Sequence, residues 1–189
     1  MRRRDFCLAM GPAASAGLLH GANVPRPAPE LVIRMTNNRP PILLSSFKGK
    51  VIAIEFLLTY CSHCQKASRI TEMIYREYGA KGFMALGAAI DPTGDPDAYA
   101  RDQGLTFPVG KVAHEVCLQF MQHSVMQRLL MPQAAFIDRN LQIVEQHGGD
   151  SFFFGENEEK HLRDLVSKLV TPPGQAPAST KKGAAKKGA

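Results

Sequence analysis

At 189 residues the chain is long enough for one ordinary domain with a buried core plus termini, and too short for two. Its formal net charge of +6 lies in its ends: Arg2, Arg3 and Arg4 outweigh Asp5, while Lys181, Lys182, Lys186 and Lys187 have no acid near them. Residues 23–170 carry 16 basic and 16 acidic side chains. A neutral middle offers none of the basic face that a nucleic-acid footprint requires, so no nucleic acid is expected as a partner.

The chain starts with Arg3-Arg4-Asp5-Phe6-Cys7-Leu8 and continues into a weakly apolar stretch, Leu8 to Leu19, diluted by Gly11, Ser15 and Gly17. A basic segment before a short apolar one reads as a secretory signal over residues 1–22, and R-R-x-F-x-L resembles twin-arginine signals. The expectation is export to a periplasmic or other extracytoplasmic location; a basic leader without order is the competing reading. The stretch falls short of the roughly 20 apolar residues that a spanning helix needs, so no stable membrane span is expected.

Residues 23–30 hold Pro25, Pro27 and Pro29, a spacing that neither a helix nor a sheet interior accepts, and they read as a linker. The folded domain is therefore expected over 31–170. Short apolar runs at Leu31–Met35 and Pro41–Leu44, around Asn37-Asn38, predict an opening hairpin or edge element. Val51–Leu58 is almost continuously apolar and β-branched, as a strand covered on both faces would be, with Glu55 as its anomaly. In Ser62–Tyr78, Ala67, Ile70, Met73, Ile74 and Tyr78 recur at helical spacing, and Gly79 marks the end. Phe83–Ile90 is a second buried strand, which completes a strand–helix–strand unit of a parallel sheet.

Pro96–Gln103 then predicts a short helix, Phe107-Pro108-Val109 an extended piece and His114–Gln122 another helix. Ala134–Ile137 and Leu141–Gln146 flank Asp138-Arg139-Asn140 as a hairpin, and Glu156–Val170 is an amphipathic closing helix with Leu162, Leu165, Val166 and Leu169 on one face. Residues 171–189, rich in Pro, Ala, Gly and Lys, cannot bury enough apolar area to offset chain entropy and read as a disordered basic tail.

Loss of Cys7 with the signal would leave Cys61, Cys64 and Cys117. Two cysteines three apart at a helix start share a face and can close a small disulfide, which leaves Cys117 as a buried free thiol. At the helix N-terminus the dipole and unpaired N–H groups favour a thiolate, so Cys61 reads as the nucleophile and Cys64 as the resolver. The alternative, half of a zinc site, needs a second ligand pair; His114, His123, His147 and His161 supply no such set, and neither a metal nor a cofactor is expected.

Four features together carry a resemblance: Phe47-Lys48-Gly49-Lys50-Val51-Ile52-Ala53-Ile54, the C-x-x-C pair, Phe107-Pro108-Val109, and Met131-Pro132-Gln133-Ala134-Ala135-Phe136-Ile137-Asp138. Residues 31–170 resemble the thioredoxin-fold superfamily, and within it the exported TlpA/ResA-like thiol-disulfide oxidoreductases of the redoxin type. That resemblance implies an α/β fold, a three-layer α/β/α sandwich on a central mixed sheet with an N-terminal hairpin extension. It implies a monomeric protein-disulfide oxidoreductase that exchanges a Cys61–Cys64 disulfide with protein thiols and an upstream redox partner. Pro132 takes the place of the family's cis proline beside the disulfide, and Met131 and Tyr60 the places that meet substrate. Glu55, six residues before Cys61, stands where thioredoxins carry a buried aspartate that handles the resolving cysteine's proton; burial would raise its pKa, whereas an edge position would leave it solvated.

Three departures stand out: Tyr60 replaces the usual Trp, His63 replaces the usual Pro, and the segment from Val125 to Pro132 is about three residues longer than in shorter relatives. C-x-H-C resembles the motif of DsbA-type oxidases, in which an imidazole stabilises the first thiolate. A lowering of the Cys61 pKa by about two units corresponds to roughly 60 mV towards an oxidising potential. His63 could thus move a reductase towards an oxidase or isomerase, unless it is a solvated loop histidine without influence. A peroxiredoxin-like thiol peroxidase is the first competing function, but its pattern wants Pro at Ile54 and Thr or Ser at Leu58. A non-enzymatic metal or thiol carrier is the second, and the wider C-x-x-x-C of copper carriers is not present here.

Overall fold

A computed structural model describes residues 23–171; the expected signal at 1–22 and the tail beyond Thr171 lie outside the described residues. Val51–Leu57 (β4), Phe83–Ala89 (β5) and Val109–Lys111 (β6) form the parallel half of a six-stranded sheet. Gln133–Ile137 (β7), Gln142–His147 (β8) and the two-residue Arg26–Pro27 (β1) add the antiparallel half, in the order β1-β8-β7-β4-β5-β6. Val32–Ile33 (β2) and Ile42–Leu43 (β3) pair as a separate small hairpin, the expected N-terminal extension. The helices are Ser62–Tyr78 (α1), Pro96–Gln103 (α2), His114–Met121 (α3) and Glu158–Val170 (α4).

β4 lies at the centre and all seven of its residues are buried. The period of two divides them between two layers. Val51, Ala53 and Leu57 join Ile74 of α1, Leu162 and Val166 of α4, and Phe153 in one core. Ile52, Ile54 and Phe56 join Leu31, Ile33 of β2, Cys117 and Phe120 of α3, and Ile143 of β8 in the other. A strand coated on both faces has no polar side, which explains the continuous apolar run in its sequence.

Element bounds differ from the sequence expectation where one backbone group decides. Pro108 has no N–H to give a ladder, so β6 begins only at Val109, although the Pro108 carbonyl still accepts from Gly87 N at 2.9 Å. α3 stops one residue early because Gln122 turns into left-handed backbone at φ 50°. α4 begins at Glu158, two residues later than its apolar pattern allows.

The 23–30 segment corrects the linker expectation. Arg26–Pro27 pairs with β8 at the sheet edge, where a proline's missing donor does no harm, and Arg26 Nη2 donates to Phe120 O at 2.6 Å and to Gln146 Oε1 at 2.9 Å. Ala28 N donates to Leu141 O at 2.9 Å, so the folded unit takes in residues 26–28.

The two-layer core makes a direct prediction for α4. Leu162→Ala is expected to lower the free energy of unfolding by about 2–5 kcal/mol in a urea titration. Val125→Ala, at a side chain that is 79% exposed, should change it by no more than about 0.5 kcal/mol.

Candidate active site

α1 starts directly after β4 through the loop 58–61, and that loop is pinned. Thr59 donates twice to the buried Asp91 after β5, from N to Oδ1 at 3.1 Å and from Oγ1 to Oδ2 at 2.7 Å. Gly94 closes over the same carboxylate so tightly that a Cβ there would lie 1.8 Å from Asp91 Oδ2. Cys61 N donates to Leu58 O at 3.1 Å, which places Cys61 as the residue capping α1 in extended backbone.

The cysteines are thereby unequal. Cys61 is half-buried at the rim, and its Sγ accepts from Cys64 N at 3.4 Å, the contact of a helix-capping side chain. Cys64, one turn in, is fully buried. Both are free thiols. Burial pushes the Cys64 thiol far up, and the nearby Cys61 and Glu55 add to that by disfavouring another negative charge. Cys117, expected as a buried free thiol, is one, packed against the α3 side of the sheet and raised to about 12 by burial.

Glu55 sits in the buried α1/α4 layer, 4% exposed, and not at a wet edge. Gly87 and Ala134 flank it in register on the neighbouring strands, so nothing charged faces it within the sheet. One oxygen, Oε1, accepts from Ser68 Oγ at 2.9 Å, and Ser68 Oγ also lies 2.8 Å from the Tyr99 hydroxyl. The other, Oε2, is buried without a partner among the described residues. Desolvation dominates and raises its pKa to about 8; the Ser68 bond opposes the rise, and Glu158 adds to it.

Met131-Pro132 is a cis peptide, as the sequence placement implies, and leads directly into β7. The loop after β8 lies backbone-to-backbone against it. Gly149 N donates to Leu130 O at 3.1 Å, and a Cβ on Gly149 would meet Met131 O at 2.6 Å. Met131 is half-buried between the two cores. Tyr60 is 73% exposed beside Cys61, and His63 is exposed in the first turn of α1. Burial raises the pKa of Glu158, and Lys66 and, more weakly, His63 oppose that rise.

Sequence reasoning missed Thr59–Asp91, Ser68–Tyr99 and the pair of surface Lys66 with buried Glu158, whose Nζ and Oε2 are 3.1 Å apart. Only Asp91, the first polar residue after an apolar run, left a local signal. Among the described residues no group of three or more His, Cys, Asp and Glu side chains is placed to hold a metal, and no helix is long and apolar enough to cross a membrane.

No protein-family model and no curated protein matches the chain. Among solved structures, it is similar to a thiol:disulfide interchange protein of the thioredoxin family from Chlorobium tepidum, at 21% identity and TM-score 0.63 over 78% of this chain and 97% of that one. It is similar to the exposed lipoprotein thioredoxin of Streptococcus pneumoniae at 20% identity and TM-score 0.56, over 75% and 100%. It is also similar to a peroxiredoxin Q of Xanthomonas campestris at 13% identity and TM-score 0.61, over 75% and 92%. The fold is thioredoxin-like, a three-layer α/β arrangement on a mixed sheet.

Glu55 yields a stability prediction with a defined sign. Its folded pKa, about 8, lies above the ordinary carboxyl value of 4.5, so the folded state holds the proton more tightly. The resulting stabilisation is complete below about pH 4.5 and is lost as pH rises through 8, by an amount on the order of a few kcal/mol. Glu55→Gln should remove that loss. Urea titrations are expected to find the variant more stable than the parent at pH 8 and to show a flatter profile between pH 5 and 8.

Proposed function

We propose that the chain is a thiol-disulfide oxidoreductase that uses Cys61 and Cys64 to reduce disulfides of protein substrates outside the cytoplasm. The observation that carries this reading is an accessible capping Cys61 placed over a buried Cys64, with a carboxyl of raised pKa beneath the pair. A structural zinc site would call for two further ligands beside the pair, and a structural disulfide would have no use for the carboxyl.

In the reducing direction the Cys61 thiolate attacks a substrate disulfide. One substrate sulfur leaves as a thiolate and takes up a proton, while the other remains joined to Cys61. Cys64 then passes its proton to the Glu55 carboxylate, and its thiolate attacks the Cys61 sulfur. The Cys61–Cys64 disulfide forms and the second substrate sulfur departs with a proton. Two electrons have passed to the substrate, and an upstream redox partner restores the dithiol. Tyr60, next to Cys61 in the chain, and Met131, packed against the same core as Cys61, meet the substrate chain in this reading.

The basic, weakly apolar segment at 1–22 supports the extracytoplasmic location. The balanced charge of 23–170 supports protein rather than nucleic-acid substrates. His63, where it is protonated, favours negative charge at the start of α1, and in this reading it makes the pair less reducing than a proline there would.

Two measurements test the proposal. Cys64→Ser should accumulate a mixed disulfide to a substrate protein at Cys61, seen as an added mass, while Cys61→Ser should accumulate none. A high rate of peroxide reduction at Cys61 without disulfide exchange would replace the proposal with the peroxidase reading. His63→Pro is expected to lower the Cys61–Cys64 reduction potential by tens of millivolts, and an unchanged potential would remove His63 from the account.

A further inference from the structure

Four acidic side chains are buried among the described residues: Glu55, Glu72, Asp91 and Glu158. Two have evident structural work. Glu72 accepts from Thr106 N at 2.8 Å, Thr106 Oγ1 at 2.7 Å and Arg76 Nε at 2.5 Å, and Asp91 holds Thr59 as described. The other two, Glu55 from β4 and Glu158 from α4, line one small cavity together with Thr71, Ala134, Phe136 and Phe153.

A carboxylate in the first turn of a helix is favoured by the helix dipole, but that effect does not require burial. Glu159, the next residue, already occupies that turn, is exposed, and pairs with Arg163 Nη1 at 2.7 Å. Glu158 is instead 3% exposed, with Lys66 Nζ at 3.1 Å from its Oε2, and the Lys66 side chain is 47% exposed. Lys66 thus reaches from the surface of α1 to a carboxylate that lines the cavity shared with Glu55.

We propose that Glu158 is a positioning residue for deprotonation of Cys64, acting through Glu55. It rests on the exchange mechanism above and adds a second carboxylate to it. The negative charge of Glu158 makes the Glu55 proton harder to release; burial raises the pKa of Glu158 itself, and Lys66 and His63 oppose that rise. The titratable groups facing this pair are His63, Cys64 and Lys66 from α1 and Tyr99 from α2; β5 and β7 present only Gly87 and Ala134 at the level of Glu55. The arrangement keeps a proton acceptor beneath Cys64 whose affinity sits near neutral pH, where acceptance and return are both efficient.

The test is a carboxyl NMR titration of the full, reduced chain, run alongside the pH profile of its disulfide-reduction rate. The Glu55 signal of the parent should show two inflections, its own near pH 8 and a second from Glu158. Glu158→Gln should lower the Glu55 midpoint by about one pH unit and move the rate profile in the same direction, and Glu158→Asp should restore most of the shift. An unmoved Glu55 midpoint in folded Glu158→Gln overturns the inference. Should that variant not fold, a single inflection at Glu55 in the parent overturns it instead. A coupled titration in a chain that reduces no disulfide would sink the exchange reading and leave the coupling standing.

Discussion

β4 is covered on both faces along its whole length, and the arrangement of the site follows from that constraint. Strand alternation sends Ala53, Glu55 and Leu57 into the layer under α1 and α4, so the one carboxyl in the strand is buried. The same strand ends where α1 begins. A chain leaving a buried strand for a helix has to turn at the sheet's edge, and Thr59–Asp91 holds that turn so that Cys61 caps the helix at the rim. Position six before the first cysteine and the cysteine itself are thus fixed by one element.

The proposed exchange then depends on a difference in solvation within four residues. Cys61 meets solvent at the N-terminus of α1. Cys64 lies a turn deeper among apolar side chains, where burial disfavours a thiolate, and in the proposed exchange Glu55 takes its proton. An ordinary carboxyl with a pKa near 4.5 would be a poor acceptor for a thiol of such high pKa. Desolvation moves Glu55 to about 8 and so narrows the gap, at a cost in stability that the two apolar cores offset.

Much of this was legible in the sequence because it depends on local pattern. The continuous apolar run of β4, the 3.6-residue spacing of α1 and the C-x-x-C at its start each have a period or a position that a single chain displays. Residue pairs distant in sequence were not legible. Glu158 meets Lys66 across 92 positions and Tyr99 meets Ser68 across 31, and in the sequence Glu158 looks like any first-turn helix acid. Arg26–Pro27 was hidden for a different reason. Proline composition argues against sheet interiors, and only the fold decides that this segment sits at an edge. Glu55 fell between the two cases: its strand was evident, but its wet or dry face depended on α4, which arrives a hundred residues later.

The central claim is that Cys61 and Cys64 cycle as a pair while Cys117 does not. Equilibration of the full chain in glutathione buffers of graded potential, followed by alkylation and mass mapping, addresses it directly. The account predicts that Cys61 and Cys64 lose reactivity together in one two-electron transition and that Cys117 stays free throughout. Independent oxidation of the two, or a disulfide that includes Cys117, would contradict it.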